Sequence, residues 1–307
     1  MANILEILSN FAPANKRRDM KISADQLHLL PLSVGRCHRD GGWQRKNVYS
    51  PFSRLGYVAH GEARVTMPRG TYTLKPGHLY LIPPFTMHCV EALSPFSFSY
   101  IHFCEEQQGD SDLFDEWDFP LTVKAGATDV ELMERTGQIN PVHNNTEPLY
   151  DISDDTPSDD TEEAWQYTLS DRVETRGIVL ILLSRFLKQA MPKVSVQDER
   201  IYHTLAFIRK NMGQPLGIDE LADRACMSKD HFIRVFKREM GMTPNVFITK
   251  RKLERAELML LTTDQAVKTI ATALGFGDSS YFNRLFKKNA GVTPQQYREK
   301  KNFGCKL

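Results

Sequence analysis

Long apolar runs are missing from this 307-residue chain. The longest near its middle, GIVLILL at 177–183, falls far short of the ~20 apolar residues that a membrane-spanning helix needs, so no membrane partner is expected. The N-terminal stretch MANILEILSNFAPANKRRDM lacks the charged-then-apolar run and small-residue cleavage site of a secretory signal. Cysteine is scarce: Cys37, Cys89, Cys104, Cys226 and Cys305 are five, an odd number, with no C-x-x-C pair. That spacing argues against a disulfide frame and against a zinc site, and points to reduced thiols in a cytoplasmic protein. Catalytic signatures are also missing. There is no G-x-S-x-G, no phosphate-binding glycine loop and no paired-histidine metal motif, so neither an enzyme nor a cofactor is expected.

What is present is ordinary in amount and uneven in placement. Apolar residues make up 41% and charged residues 25%, as in a globular protein long enough for two domains. Residues 198–307 carry 20 Lys+Arg against 12 Asp+Glu, whereas residues 1–197 carry 19 against 26. A basic third joined to an acidic remainder suggests a nucleic-acid module attached to a part that must not bind nucleic acid.

From about residue 20 to 104 the pattern is β. Short apolar runs are broken by Gly and Pro, and Phe96, Phe98, Tyr100 and His102 alternate along one strand. Turn signals at Pro68-Arg69-Gly70 and Lys75-Pro76-Gly77 are spaced as in an antiparallel barrel or sandwich. Residues 143–163 hold eight acidic residues and no Lys or Arg, as a solvated insertion would. A helix then follows over about 174–190, with Val179, Leu182, Leu183 and Phe186 on one face. Residues 198–307 read as wholly α.

One phrase is written twice. HFIRVFKREMGMTP at 231–244 returns as YFNRLFKKNAGVTP at 281–294, with seven of fourteen positions identical. Taken as helices capped by Ser228 and Asp278, the copies turn Phe232, Val235, Phe236 and Met240, and Phe282, Leu285 and Phe286, inward. Asp230, Arg234 and Lys237, and Ser280, Arg284 and Lys287, then face outward. A shorter amphipathic stretch and a tight turn precede each copy, which makes two helix-turn-helix units. Gly241 and Gly291 act as helix stops, and Thr243-Pro244 and Thr293-Pro294 start the next helix. A linking helix over about 245–261 would be ~25 Å long, enough to hold two reading helices in successive major-groove segments.

Ile270, Ala271, Gly275, Phe276, Asp278, Ser280, Tyr281, Phe282, Arg284, Phe286, Lys287, Lys288, Gly291, Thr293, Pro294, Tyr297 and Arg298 together carry a specific pattern. It closely resembles the C-terminal domain of the AraC family of bacterial transcription regulators. With the first unit and Arg251, Leu253, Ala256 and Met259 of the linking helix, the resemblance covers about 100 residues. The phrase PGHLYLIPPFTMH, with the segment 56–103, resembles the family's cupin-like sensing barrel.

The resemblance implies a multidomain α+β chain: a cupin-like antiparallel β-barrel at 1–140, an acidic insertion and dimerisation helix at 141–197, and a tandem helix-turn-helix domain at 198–307. It implies base contacts from Asp230, Ile233 and Arg234 in the first reading helix, and from Ser279, Ser280, Asn283 and Arg284 in the second. Lys229, Lys237, Lys250 and Lys287 are the expected phosphate contacts. Asp230 could equally orient Arg234. The implied effector site comprises Trp43, Arg45, Lys46, Tyr80, His88, Phe96, Phe98 and Tyr100, for a small molecule such as a sugar or an aromatic acid. The implied partners are double-stranded DNA, that effector, a second copy of the chain and RNA polymerase; activator is one implied role, with activation and repression both left open by the sequence. No metal is expected: His88 matches a late cupin ligand, but no H-x-H…E triple precedes it, and His60, His78 and His102 would have to converge with it in space. Two other readings stay open: a regulator whose barrel serves only to dimerise, and a metal-dependent cupin enzyme.

Overall fold

Strands that alternate inward and outward side chains fill the N-terminal region of the computed structural model, which describes residues 27–106, 113–139, 168–193 and 198–299. They are β1 (Leu29–Arg39), β2 (Gln44–Val48), β3 (Ser53–His60), β4 (Ala63–Met67), β5 (Gly70–Leu74), β6 (His78–Ile82), β7 (His88–Ala92) and β8 (Phe96–Glu105). After α1 (Leu113–Glu116) come β9 (Trp117–Asp118), β10 (Thr122–Lys124), α2 (Ala127–Ile139), α3 (Leu169–Leu187) and β11 (Met191–Pro192). One antiparallel sheet has the order β1-β8-β3-β6-β10 and a second the order β2-β7-β4-β5. The hairpin at Pro68-Arg69 closes β4 onto β5, with Met67 opposite Gly70.

Period-two alternation divides the five-stranded sheet between two cores. Leu55, Leu79, Leu81, Ile101 and Phe103 point to one face and pack against α2 and α3. Val58, Tyr80, Ile82 and Phe96 point to the other and meet Val65 and Leu74 of the second sheet. Helix α3 starts at a capping box, in which Thr168 and Asp171 each bond the other's backbone N–H. It begins earlier than its apolar periodicity suggests and ends at Leu187. Its predicted stripe of Val179, Leu182, Leu183 and Phe186 is buried against the barrel of its own chain. The sheet's outer face is apolar and needs the helix to cover it, so this stripe is spent within the chain. A different strip, Leu169, Val173 and Ile181, stays exposed. The acidic segment at 143–163 lies outside the described residues.

The C-terminal region is helical: α4 (Glu199–Lys210), α5 (Ile218–Arg224), α6 (Lys229–Met240), α7 (Pro244–Thr262), α8 (Val267–Ala273), α9 (Ser279–Ala290) and α10 (Pro294–Glu299). Helix α7 spans both halves, at about 28 Å for its 19 residues. Its N-terminal Phe247 and Ile248 complete a core with α4, α5 and α6. Its C-terminal Leu253, Ala256 and Leu260 complete another with α8, α9 and α10. Three barrel residues, Leu32, Phe52 and Cys104, belong to that second core. Charge reinforces the junction: Arg251 of α7 donates to Asp115 of α1, and Arg209 of α4 lies 3.4 Å from Glu116.

Candidate nucleic-acid interface and barrel cavity

The doubled phrase forms doubled structure. In α6, Phe232, Val235 and Phe236 are buried while Asp230, Arg234 and Lys237 are exposed. In α9, Phe282 and Phe286 are buried while Ser280, Asn283, Arg284 and Lys287 are exposed. Phe232 and Phe236 sit with ring centroids 5.6 Å apart, and Phe282 and Phe286 at 5.7 Å. The correspondence runs beyond the repeated phrase. Phe247 meets Phe236 edge-on at 5.5 Å, and Tyr297, fifty positions later, meets Phe286 edge-on at 5.3 Å. Edge-to-face pairs of this kind add to the area each ring buries. Both reading helices stop at a left-handed glycine, Gly241 (φ 72°) and Gly291 (φ 77°).

The two units differ at their starts. Asp278 caps α9 by accepting from the N–H groups of Ser280 and Tyr281. Ser228 holds the equivalent place before α6 but its side chain makes no capping bond, contrary to expectation. The turn of the second unit runs through left-handed Gly275 (φ 68°), where a Cβ would lie 2.9 Å from the Gly213 carbonyl oxygen. In the first unit Cys226 takes the left-handed turn position (φ 52°), which no glycine marks in the sequence.

The outward residues do not all stand alike. Arg234 approaches His231 Nδ1 at 3.3 Å; Asp230 does not orient it. Ile233 and Ser279 are half-buried at the edges of their helices. Lys229 is paired with Asp219 at 3.0 Å, and Lys250 lies 3.8 Å from Glu254. Lys237, Arg284 and Lys287 have no ion pair among the described residues, so they present their charge directly to solvent. Exposed cations on two similarly built helices suit the phosphate backbone, and the arginines suit guanine edges.

The barrel encloses a cavity of about 80 Å³, several times what one water needs. Seven of the eight predicted residues line it: Trp43, Arg45, Tyr80, His88, Phe96, Phe98 and Tyr100. Lys46 does not. It follows Arg45 on β2, so alternation turns it outward, and the β2–β7 register slips between Arg45 and Val48. Phe96, Phe98, Tyr100 and His102 form an aromatic row along β8, with successive centroids 5.0, 6.2 and 4.8 Å apart. Tyr80 fits inside because Gly56 has no side chain: a Cβ there would lie 2.3 Å from the ring. Burial holds the Tyr80 hydroxyl above its ordinary pKa.

Sequence reasoning missed Arg54 as a wall of this cavity and did not connect His102 to it. Arg54 shares the inward parity of Gly56 and Val58 on β3, and that parity was the available signal. Its Nη2 donates to Ser50 Oγ at 2.6 Å, and its Nη1 lies 3.2 Å from His102 Nε2. Burial, and then the Arg54 charge, hold His102 well below the ordinary histidine pKa. His60 and His78 do not line the cavity, and among the described residues no three His, Cys, Asp or Glu side chains group as metal ligands would.

Two family models match this chain. Residues 36–111 match the AraC-like ligand binding domain, and residues 221–300 match a helix-turn-helix domain. Together they take in half of the chain, one over the barrel and the other over the two helical units. The chain belongs to the AraC family. It is a DNA-binding transcription regulator with an AraC-type ligand-binding domain ahead of its helix-turn-helix domain. Among its relatives is an HTH-type transcriptional regulator of Haemophilus influenzae, 26% identical over 290 residues, covering 86% of this chain and 92% of that protein. The HTH-type transcriptional activator RhaS of Yersinia pestis is 34% identical over 102 residues, covering 33% of this chain and 37% of that protein. Among solved structures, ToxT from Vibrio cholerae with a bound unsaturated fatty acid is 13% identical, with 90% of this chain and 98% of that chain covered and a TM-score of 0.49. No helix among the described residues is long and apolar enough to cross a membrane.

Proposed function

We propose that this AraC-family regulator reads a specific DNA sequence with α6 and α9 and responds to a small molecule held in the barrel cavity. The observation that carries the reading is the pair of reading helices, built alike and exposing Arg234 with Lys237 and Arg284 with Lys287. On this reading Arg234, Arg284, Asn283, Ile233, Asp230, Ser279 and Ser280 meet base edges, while Lys237, Lys287, Lys229 and Lys250 meet phosphates. Lys229 and Lys250 would exchange their carboxylate partners for phosphate on binding. The cavity favours a ligand-responsive barrel over one that only dimerises. The enzyme reading loses support because His60 and His78 lie outside the cavity. A second copy would cover the exposed strip of Leu169, Val173 and Ile181 on α3. The name of RhaS favours activation, with RNA polymerase as the further partner.

The test is a titration of the full chain against DNA fragments from upstream of its own gene and neighbouring operons, at several salt concentrations. The comparison is an Arg234→Ala/Arg284→Ala variant. Selective, salt-sensitive binding that the variant loses is the expected result. Salt-sensitive binding with no preference among fragments would refute sequence reading and leave only a basic surface.

A further inference from the structure

Helix α7 changes cores at its middle. Phe247 and Ile248 belong to the core of the first unit and Leu253 to that of the second. Between them stands Lys252, a cation only 6% exposed. Burial lowers its pKa, and no carboxylate charge offsets that. Met or Leu would fill such a place at less cost, since a buried ammonium gives up its hydration. What an ammonium adds is direction, because its N–H groups need acceptors. Lys252 Nζ donates to the Gln214 carbonyl oxygen at 3.2 Å, in the α4–α5 connection of the first unit. It also lies 5.6 Å from the ring centroid of Phe276, in the α8–α9 turn of the second unit. A cation over an aromatic face is attracted to it. The Phe276 ring in turn lies 5.1 Å from Phe282 of α9. The two loops also touch through their backbones. A Cβ on Gly213 would lie 2.8 Å from the Ala273 carbonyl oxygen, and one on Gly275 would lie 3.0 Å from the Gln214 carbonyl oxygen. The units are therefore joined twice, by the shaft of α7 and by this loop-on-loop contact, and Lys252 stands where the two joints meet.

Resting on the reading that α6 and α9 contact DNA together, we propose that Lys252 is a positioning residue for that recognition. It clamps the α4–α5 connection to the α8–α9 turn and so sets the resting separation and rotation between the two reading helices. A helix held only at its two ends can bend along its length. A second attachment at its middle removes that freedom. The consequence is selectivity for spacing. One base pair inserted between the two contacted segments moves the second by about 3.4 Å and turns it by about 35° around the DNA axis. A clamped reader then loses one of its contacts, whereas a reader free to bend at α7 follows the displaced segment.

The test uses the full chain and the DNA fragment it selects, with the two contacted segments mapped by footprinting. Versions with one base pair inserted or deleted between the segments are titrated by fluorescence anisotropy. The natural protein should lose at least tenfold in affinity at the altered spacings. Lys252→Met keeps the apolar stem without the ammonium and should lose threefold or less. Lys252→Arg keeps a donor and a charge and should retain most of the natural selectivity. Lys287→Ala, on the reading face, should weaken every spacing alike. A lysine needed only for stability would lower affinity at every spacing in proportion. That result for Lys252→Met, or a natural protein indifferent to spacing, would overturn the proposal. If Lys252→Met does not fold, as judged by circular dichroism, Phe276→Leu removes the ring beside the ammonium and takes its place, with the same two outcomes. Hydrogen exchange without DNA gives an independent reading. Residues 213–217 and 273–277 should both exchange faster in the variant, and unchanged exchange would overturn the clamp. Absence of selective binding by the natural protein would sink the regulator reading, and the exchange measurement would then decide the clamp by itself.

Discussion

Glu257 of α7 is 1% exposed and sits at the centre of the second helical unit. Its carboxyl accepts from Tyr297 Oη at 3.2 Å and from Asn289 Nδ2 at 3.2 Å, tying α7 to α10 and α9. Burial pushes its pKa up to about 8 from an ordinary 4.5; the hydrogen bonds from Tyr297 and Asn289 oppose the shift, and the nearby Glu254 carboxylate adds to it. A carboxyl whose folded pKa exceeds its unfolded value contributes stability that is fully present below pH 4.5 and lost as pH rises to 8. The loss is about 1.4 kcal/mol per pH unit inside that window. Between pH 7 and 8, where the proton is partly released, it comes to about 1 kcal/mol, or roughly 2–4 °C in Tm for a domain of 150–250 residues. This window avoids His102, whose lowered pKa costs stability only below about pH 6.5. Glu254 is also raised by burial and slopes the same way, so the informative quantity is a difference between proteins. Glu257→Gln keeps an acceptor for Asn289 and a polar partner for Tyr297 without a proton to lose. Thermal unfolding of both proteins at pH 7.0, 7.5 and 8.0 is the assay. The gap should widen with pH in favour of Glu257→Gln. A gap that stays constant across the series would refute a neutral Glu257 in the folded protein.

Phe282→Ala removes a fully buried ring set 5.1 Å from Phe276 and 5.7 Å from Phe286, and should cost about 3–5 kcal/mol in urea unfolding, with loss of DNA binding. Lys287→Ala should lower affinity for every DNA fragment about equally and reduce the slope of log affinity against log salt by about one, as read by fluorescence anisotropy. Gly56→Ala should displace Tyr80 from the cavity, since its Cβ would lie 2.3 Å from that ring, and should weaken binding of any barrel ligand while leaving DNA affinity intact. Phe52→Leu should leave ligand binding in place while reducing the change in DNA affinity that the ligand produces, read by repeating the DNA titration with and without it.

Much of this architecture was legible in the chain. The doubled phrase gave both reading helices, because amphipathic spacing and left-handed glycine stops are local signals. Alternation along β8 gave the aromatic row, because a strand's parity is fixed within itself. The misses need information from elsewhere in the fold. Lys46 and Arg45 are equally basic neighbours, and only the pairing of β2 with β7 decides which one faces inward. Arg54 reads as an ordinary surface residue until β3 is placed between β8 and β6. The stripe on α3 is a sound amphipathic signal, but periodicity says that a face will be covered without saying what covers it. The turn at Cys226 lacks the glycine that marks its counterpart, since the context of the first unit holds a non-glycine residue in the same left-handed region.

The junction of the two halves was the least legible part, and it bears most on how a barrel could influence a DNA reader. Phe52 stands on both sides of it. Its ring lies 4.9 Å from His102 and 5.2 Å from the Arg54 guanidinium, two residues that line the cavity while Phe52 itself sits behind them. The same side chain belongs to the core formed by α7, α8, α9 and α10. The core of the first unit contains no barrel residue among those described. The first unit meets the N-terminal half through Arg209 and Glu116, and through the α7 shaft with its Arg251–Asp115 contact. The two reading helices are therefore alike in construction and unlike in attachment. A shift of the Arg54–His102 wall bears on the second unit through a packed ring, where displacement cannot be absorbed by solvent. It reaches the first less directly, along α7 and through the Arg209–Glu116 pair. An effector acting there has a direct lever on where α9 sits and an indirect one on α6. Such a lever suits control of the second DNA contact while the first stays engaged.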